Sequence, residues 1–280
     1  MALCDDRAPV RLVVTGVDKR RGRGTARSPS PVKKVALERG LTVVHDLGEV
    51  MDVVRSLQGN VLGVVVAYGH LIPEEILEAM TLVNLHFSLL PRWRGAAPVE
   101  RAILAGDRET GVCLMRVREE LDAGEVYAVR TIPISEDDTL EDLRHELNRV
   151  GVPLVVQACR EGLADATPQE GEPLYARKIT AKDLYLSWGS AVDVSRQVRV
   201  GGAYGHLDGR RVRVWKCARA DKASNGRTRG EVWRADGRVF VACGEGVIEL
   251  ISVQPEGKGQ MAASAWWNGM RSSESVRFES

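Results

Sequence analysis

The stretch NLHFSLLPRWRGAAP, residues 84–98, places polar side chains at every second position of an apolar run. In an extended strand, Asn84, His86 and Ser88 would share one face, and the apolar residues between them would share the other. The pattern predicts a strand whose apolar face lies in a core. Its polar face would present reactive groups at a strand end, where Pro91 stops further pairing. The alternative is a half-exposed edge strand with a solvated polar face.

Asp122 is the carboxylate that could complete this set. It lies in REELDAGEV, residues 118–126, where Asp-Ala-Gly after a strand predicts a turn near the carboxyl edge of a sheet. Open parallel sheets bind their ligands at that edge, so we expect Asn84, His86 and Asp122 to converge there. No Ser or Cys lies in a nucleophile-elbow sequence, and no Gly-x-Gly-x-x-Gly follows the first strand. These observations argue against covalent catalysis and against a nicotinamide cofactor.

Strands and helices alternate over the part of the chain that must position these residues. Strands are predicted at 11–16, 41–47, 63–69, 82–88, 111–117 and 127–134, and helices at 31–39, 73–80 and 97–106. Asp138 is predicted to cap a helix that ends near Arg149, and Pro153 to begin another that ends near Gly162. This alternation predicts an α/β fold with a doubly wound, mostly parallel sheet covered by helices on both faces.

The pattern changes after Gly171. From residue 191 onward, short apolar runs are separated by glycine turns at Asp208-Gly209, Asp236-Gly237 and residues 244–246. Such turns are hairpin signals, and they predict a small, open, five-stranded β-barrel of the oligonucleotide-binding kind. We therefore expect a catalytic domain at 1–175, a linker at 176–190 and a C-terminal β-barrel at 191–280.

The composition is that of a soluble globular protein, since 44% of the 280 residues are hydrophobic and 28% are charged. No apolar run is long enough to span a bilayer, and the first ten residues do not have the pattern of a signal peptide. The five cysteines are scattered, without metal-ligand spacing. They are typical of reduced thiols. We therefore expect a cytoplasmic protein, monomeric, without a metal site and without a membrane partner.

The net charge of +1 conceals two basic segments. Residues 11–34 contain eight Lys and Arg against one acidic residue, and residues 190–230 contain ten against three. A solvated charged face normally mixes both signs. Two separated basic segments in a neutral protein instead predict a polyanion that contacts it at two places, with nucleic acid the obvious candidate.

The run NLHFSLLPRWRGAAPVERAILAGDRETGVCLMRVREELDAGEV, residues 84–126, resembles the central block of methionyl-tRNA formyltransferases. The resemblance covers nearly all of residues 11–270 and includes VVVAYGHLIP, YARKIT, GRRVRVWKC and VQPEGKGQMAASAWWNG. Its specific parts are SLLPRWRGAAP and VQPEGK. It implies a formyltransferase-like sheet followed by a barrel that binds tRNA.

That family transfers a formyl group from 10-formyltetrahydrofolate to the free amino group of methionyl initiator tRNA in translation initiation. The resemblance implies that Asn84, His86 and Asp122 are catalytic. His86, kept basic by Asp122, would transfer the proton that the amine loses, and Asn84 would donate to the oxyanion that forms. No metal is implied. The folate cosubstrate would be bound by Ser88, Leu89, Leu90 and Pro91.

The resemblance also implies which basic residues bind the tRNA. The loop KRRGRGTARSPSPVK, residues 19–33, matches the family's insertion that engages the acceptor end. The barrel would hold the stem through its phosphates, which adds affinity rather than sequence readout. The expected tRNA-binding residues are Arg20, Arg21, Arg23, Arg27, Lys33, Arg210, Arg211 and Arg213.

Two departures from the family pattern leave alternatives open. The family's first strand and helix have no counterpart here, so one unit of about 30 residues is expected to be missing and to leave a gap in the sheet. The segment RQVRVGGAYGHLDG also lacks the family's prolines. One alternative is a formyltransferase acting on an amino sugar nucleotide, which would share the Asn, His and Asp trio. The other is a non-catalytic remnant that binds tRNA or folate.

Overall fold

The computed structural model describes residues 10–20, 27–56, 61–270 and 276–279. The strands are β1 (Val13–Val14), β2 (Lys19–Arg20), β3 (Arg27–Ser28), β4 (Val43–Val44), β5 (Leu62–Val65), β6 (Thr81–His86), β7 (Arg92–Gly95), β8 (Glu109–Arg116), β9 (Val126–Pro133), β10 (Leu174–Ala176), β11 (Tyr204–Leu207), β12 (Arg210–Ala220), β13 (Glu231–Ala235), β14 (Arg238–Ala242), β15 (Val247–Pro255), β16 (Met261–Ala262) and β17 (Val276–Arg277). The α-helices are α1 (Pro31–Glu38), α2 (Gly48–Ser56), α3 (Glu74–Ala79), α4 (Pro98–Ala105), α5 (Leu140–Glu161), α6 (Ala191–Val200) and α7 (Ala263–Asn268), and a 3₁₀ helix covers Ala181–Leu184.

These elements form two compact units that interleave along the chain. The first unit comprises Met1–Ala96, Gly111–Ile132 and Glu146–Tyr175. The second comprises Ala97–Thr110, Pro133–His145 and Ala176–Ser280. The boundaries expected at residues 175 and 190 stay a prediction, because a unit defined by packing is not the same as a domain defined along the sequence.

The first unit is built on a four-stranded sheet in the order β5-β6-β8-β9. Strand β5 runs parallel to β6, and β6 runs antiparallel to β8. The α/β class predicted from the sequence is confirmed, with a sheet that is mixed rather than parallel throughout. Helices α2 and α3 pack beside it, where Val50, Ile76 and Leu82 form a buried apolar cluster.

Strand β6 lies in the interior of this sheet and carries the polar residues singled out above. Val83 is fully buried on one face of the strand, and His86, at 5% exposure, is buried on the other. Ser88, just beyond the strand, has no exposed surface. The alternative of a half-exposed edge strand is therefore wrong, because neighbouring strands and covering segments shield both faces of β6.

Strands β1 and β4 pair in parallel in a separate two-stranded sheet. Among the described residues, no strand joins this pair to the four-stranded sheet, although Val14 and Val65 pack against one apolar cluster. The gap expected from the comparison with the family pattern stays a prediction.

Helix α5 differs from the prediction in its length and in the residue that caps it. A single helix spans residues 140–161 with Pro153 inside it, where two helices were predicted. The cap is Thr139 rather than Asp138, because the Thr139 hydroxyl accepts from the N–H of Asp142 at 3.2 Å and the Asp142 carboxylate accepts from the N–H of Thr139 at 3.0 Å. This reciprocal capping box fixes the first turn. No helix in the described ranges has both the length and the apolar character of a membrane span.

The second unit contains the predicted β-barrel. Its antiparallel sheet has seven strands rather than five, in the order β11-β12-β15-β14-β13-β17 with β16 beside β15. A bridge between Leu207 and Phe278 joins the two ends of this order and nearly closes the barrel. The proline-free corner before β11 turns at Gly201 and Gly202, whose φ angles of 90° and 78° are ones that residues with side chains rarely adopt.

Candidate active site

The structure brings the three predicted catalytic side chains together in the first unit. Nδ1 of His86 lies 3.6 Å from Oδ2 of Asp122. The amide nitrogen of Asn84 lies 3.5 Å from Oδ1 of the same carboxylate. Asn84 and His86 come from β6, and Asp122 comes from the loop that joins β8 to β9. The convergence expected from the sequence is therefore present in the fold.

His86 is oriented by a backbone carbonyl. Its Nε2 lies 2.9 Å from the carbonyl oxygen of Trp93, and the side chain is 5% exposed. A carbonyl oxygen only accepts hydrogen bonds, so Nε2 carries the proton in the neutral ring. The lone pair is then on Nδ1, which faces Asp122. A proton that arrives at Nδ1 creates an imidazolium beside a carboxylate, an arrangement that stabilises the charged ring.

The segments that hold this pair adopt unusual backbone conformations. Trp93 has a φ of 63° and Asp122 a φ of 49°, both in the left-handed region that residues with side chains seldom adopt. Each conformation serves a contact in the site. Trp93 directs its carbonyl at His86, and Asp122 receives the N–H of Gly95 on its Oδ2 at 2.8 Å. Strain of this kind is stored where a surrounding structure fixes it, and it is concentrated at functional sites.

Cys113 lies directly opposite His86 in the pairing of β6 with β8. Burial raises the pKa of its thiol to about 11, an effect that outweighs the opposing hydrogen bond from the Leu90 backbone. The thiol is therefore protonated at neutral pH and cannot act as a thiolate nucleophile. The site offers acid–base and hydrogen-bonding groups rather than a nucleophilic side chain.

Two residues that the sequence did not point to hold the backbone of the loop that carries the Asp122 carboxylate. Gln169 donates from its amide nitrogen to the carbonyl oxygens of Asp122 and Gly124, each at 2.8 Å. Arg94 donates through Nε to the side-chain oxygen of Gln169 at 3.0 Å and through Nη1 to Glu120 at 3.1 Å. The WRG sequence could have drawn attention to Arg94. Gln169 lies in an irregular segment with no pattern to mark it.

Among the described residues, no group of three or more His, Cys, Asp or Glu side chains is arranged to hold a metal ion.

The sequence matches two family models along its length. Residues 3–159 match the family described as formyl transferase, and residues 178–271 match its C-terminal domain. A methionyl-tRNA formyltransferase of Symbiobacterium thermophilum is 40% identical over 295 aligned positions, which cover 99% of this chain and 90% of that protein. One of Leifsonia xyli subsp. xyli is 41% identical over 276 positions, covering 94% of this chain and 90% of that protein.

The chain belongs to the methionyl-tRNA formyltransferase family. Solved structures agree at the level of fold. The methionyl-tRNA formyltransferase from Clostridium thermocellum matches with a TM-score of 0.56 and 15% identity, over 89% of this chain and all of that one. HypX from Aquifex aeolicus in complex with tetrahydrofolic acid matches with a TM-score of 0.63 and 19% identity. It is a longer protein: 96% of this chain aligns with 51% of HypX.

The segment that the formyltransferase resemblance assigns to folate follows β6 directly. Ser88 is fully buried, and its hydroxyl has no hydrogen-bond partner among the described residues. Leu89 packs over Gly111, where an added Cβ would lie 2.4 Å from its side chain. The backbone of Leu90 hydrogen-bonds to Cys113, and the carbonyl of Pro91 accepts from the N–H of Leu174 at 3.2 Å. The segment is thus a fixed wall beside His86.

The residues that the resemblance assigns to tRNA have different environments within their units. In the first unit, Arg20 and Arg27 lie opposite each other in the β2–β3 pair and are exposed. Lys33 is 17% exposed and donates to Asp18 at 2.8 Å, so its charge is already paired. Arg21 and Arg23 lie outside the described residues.

The other predicted tRNA contacts lie on β12 of the second unit. Arg210 is exposed where the strand begins, and Arg213 is half-buried further along it. The guanidinium of Arg211 lies 3.9 Å from the ring centre of Tyr204 on the neighbouring strand. Such stacking restricts the side chain without neutralising its charge. The three arginines therefore form a basic strand at the start of the barrel.

Proposed function

We propose that this chain transfers the formyl group of 10-formyltetrahydrofolate to the α-amino group of methionyl initiator tRNA. The observation that carries the proposal is the convergence of Asn84, His86 and Asp122 at the end of β6. The membership of the chain in the methionyl-tRNA formyltransferase family gives the reaction class, and the convergence supports acid–base chemistry at this position.

His86 takes the proton that the attacking amine must lose. Because Trp93 occupies Nε2, the proton is accepted at Nδ1, 3.6 Å from Asp122. The carboxylate then stabilises the imidazolium, which returns the proton to the leaving nitrogen of the folate as its bond to the formyl carbon breaks. General acid–base catalysis of this kind contributes on the order of 10² to 10⁴ in rate.

Asn84 donates from its amide nitrogen to the negative charge that develops on the formyl oxygen. Its amide nitrogen lies on the Asp122 side of β6, 3.5 Å from the carboxylate. A donor held in this way by a strand costs little reorganisation during the reaction, which is why such groups are effective catalysts.

The folate cosubstrate supplies an activated formyl group when it is bound. The segment Ser88, Leu89, Leu90 and Pro91 fits a role in holding it. The supporting observation is the Ser88 hydroxyl, which is buried without a partner among the described residues. A buried hydroxyl that lacks a hydrogen bond is unfavourable, and a polar ligand atom would relieve that cost. Leu89 and Leu90 supply apolar surface beside it.

The tRNA contacts come from the two basic segments. The proposal assigns Arg20, Arg21, Arg23, Arg27 and Lys33 to the acceptor end and the basic strand of β12 to the stem. Lys33 should contribute least to tRNA binding in the first group, because its charge is already paired with Asp18.

We further propose a catalytic domain at 1–175, a linker at 176–190 and a tRNA-binding barrel at 191–280, in a cytoplasmic monomer.

A formyltransferase that acts on an amino sugar nucleotide is the second candidate. WlaRD, a sugar 3N-formyl transferase, shares the fold of this chain, with a TM-score of 0.61 and 15% identity. The match of residues 178–271 to the formyl transferase C-terminal domain and the basic strand of β12 favour tRNA. A non-catalytic binding protein is the third candidate.

The test compares the chain with its His86→Ala variant in formyl transfer from 10-formyltetrahydrofolate to methionyl initiator tRNA. We expect turnover by the chain and a loss on the order of 10² to 10⁴ in the variant. A thymidine-diphosphate amino sugar serves as the competing acceptor. Formylation of the sugar but not of the tRNA would support the second candidate, and tRNA binding without turnover would support the third.

A further inference from the structure

The Asp122 carboxylate lies on a loop whose backbone carbonyls are bound by a side chain from a distant segment of the chain. Asp122 has a φ of 49°. The backbone carbonyls of Asp122 and Gly124 both accept hydrogen bonds from one side chain. That side chain is Gln169, which donates to both. A carbonyl that loses its donor in a half-buried site is destabilised, so the loop conformation and the Gln169 contact depend on each other.

The orientation of the Gln169 amide is fixed by what surrounds it. Its nitrogen has two carbonyl oxygens within hydrogen-bond distance, and its oxygen accepts from Nε of Arg94. A flipped amide would oppose acceptor to acceptor and donor to donor. The chain around it is also anchored, because Thr167 and Val126 exchange backbone hydrogen bonds of 2.9 and 2.8 Å.

Arg94 links this contact to the other half of the site. It lies between Trp93, whose carbonyl orients His86, and Gly95, whose N–H binds the Asp122 carboxylate. Its side chain is 10% exposed and is held by Glu120 as well as Gln169. One arginine and one glutamine therefore join the segment that orients His86 to the loop that carries Asp122.

We propose that Gln169, oriented by Arg94, is a positioning residue that fixes the Asp122 carboxylate with respect to His86. Gln169 acts through the backbone of the Asp122 loop, so it influences the rate through geometry alone. The inference rests on the proposed function for its kinetic consequence, and on the structure alone for its geometric one.

The kinetic test uses two substitutions and a matched control. Gln169→Ala removes the donor, and Gln169→Glu keeps the shape while placing an oxygen against the two carbonyls. We expect both to lower kcat about 10- to 100-fold, since a misplacement of about 1 Å can cost that much, with KM for both substrates little changed. Gln157→Ala removes an exposed glutamine whose amide nitrogen donates to Glu161 at 2.8 Å, away from Asp122, and it should keep wild-type activity. A Gln169→Glu variant as active as the wild type would overturn the proposal, because packing alone would then suffice.

A double-mutant cycle separates positioning from a general structural role. In an Asp122→Ala background, Gln169→Ala should cause no further loss in single-turnover rate, because the group it positions is already absent. A loss of equal size in both backgrounds would contradict the proposal.

A structural arm keeps the inference independent of the assay. In a crystal structure of the Gln169→Ala variant, we expect the Asp122 carboxylate to have moved by about 1 Å or more from His86 and to have lost the Gly95 contact. An unmoved carboxylate would overturn the proposal whether or not the chain formylates tRNA. Absence of turnover in the wild type would instead count against the proposed function, and this arm would still decide the role of Gln169.

Discussion

Oδ2 of Asp122 lies 3.6 Å from Nδ1 of His86 and 2.8 Å from the backbone nitrogen of Gly95. One carboxylate oxygen thus faces the ring for which we propose proton transfer, and it is itself held by the segment that orients that ring. The carbonyl oxygen of Trp93, two residues before Gly95, accepts from Nε2 of His86. The ring and the carboxylate are therefore held by the same short segment of the chain. Changes to that segment should therefore be seen mainly in the rate of the chemical step.

Replacing Asp122 with Asn should remove the charge while nearly keeping the shape. We expect kcat to fall on the order of 10² to 10⁴, because the imidazolium of His86 loses its stabilising partner. Steady-state kinetics with both substrates measures the effect. Asp165→Asn, a change at an exposed carboxylate of the same unit, is the control. Equal activity of the two variants would show that Asp122 has no catalytic role.

Replacing Asn84 with Ala should remove the donor that we propose for the formyl oxygen. The expected loss in kcat is about 10²- to 10³-fold, the usual cost of one oxyanion donor. Thermal unfolding of the variant should stay close to that of the wild type, because the hydrogen bond from the Asn84 side chain to Asp122 is long, at 3.5 Å. A variant that loses affinity for folate without losing kcat would assign Asn84 to binding.

Replacing Gly124 with Ala tests the backbone of the Asp122 loop. The new Cβ would lie 1.9 Å from the carbonyl oxygen of Arg116, so the loop must move. We expect kcat to fall about 10-fold or more. Gly259→Ala is the matched control, since its Cβ would meet nothing within 4 Å. If both variants kept full activity, the position of this loop would not limit the rate.

Replacing Arg210 with Ala should weaken tRNA binding at the barrel. Because an arginine that contacts a phosphate releases counterions, the slope of log affinity against log salt should become shallower by about 1. Filter binding at several KCl concentrations measures it. Arg149→Ala, whose guanidinium is paired with Glu146 at 2.8 Å, should leave the slope unchanged. An Arg210 variant with the wild-type slope would place the tRNA elsewhere.

Replacing Asp183 with Asn should destabilise the second unit. Hydrogen bonds from Arg101 and Thr180 hold the pKa of the Asp183 carboxyl far below its usual range. The ionised form is therefore preferred in the folded state, and its contribution is present above about pH 4 and is lost as the pH falls further. The Asp183 carboxylate also accepts from the N–H of Thr180 at 2.8 Å and so completes a capping box at the start of the 3₁₀ helix. Loss of its charge should cost about 1 to 2 kcal/mol at pH 7, of the order of a hydrogen bond to a charged group.

Hydrogen exchange of residues 180–186 at pH 7, read by mass spectrometry, measures this change. Asp221→Asn, an exposed carboxylate of the same unit, is the control. Thermal unfolding measures the pH dependence. The difference in Tm between the wild type and Asp183→Asn should become smaller below pH 4. A difference that stays constant to pH 2 would mean that the ionised carboxyl is not the source of the stability.

Local patterns of the sequence determined much of this protein. Alternation of polar and apolar residues placed Asn84 and His86 on one face of a strand, and the glycine turns near residues 209 and 237 marked the barrel hairpins. These features follow from the two-residue period of a strand and from the backbone freedom of glycine. They depend on neighbours in the sequence, so a single sequence reveals them. The continuation of α5 through Pro153 was not foreseen, because local preference disfavours proline there and tertiary packing decides.

Only the tertiary structure decided how the carboxylate is held. The contacts of Gln169 with Asp122 and of Trp93 with His86 join a side chain to a backbone carbonyl, and neither leaves a periodic trace in the sequence. The same holds for the separation of β1 and β4 from the larger sheet. The sequence determined which residues could perform the chemistry, because that depends on side-chain type. The fold determined which of them meet, because long-range hydrogen bonds depend on packing between distant segments.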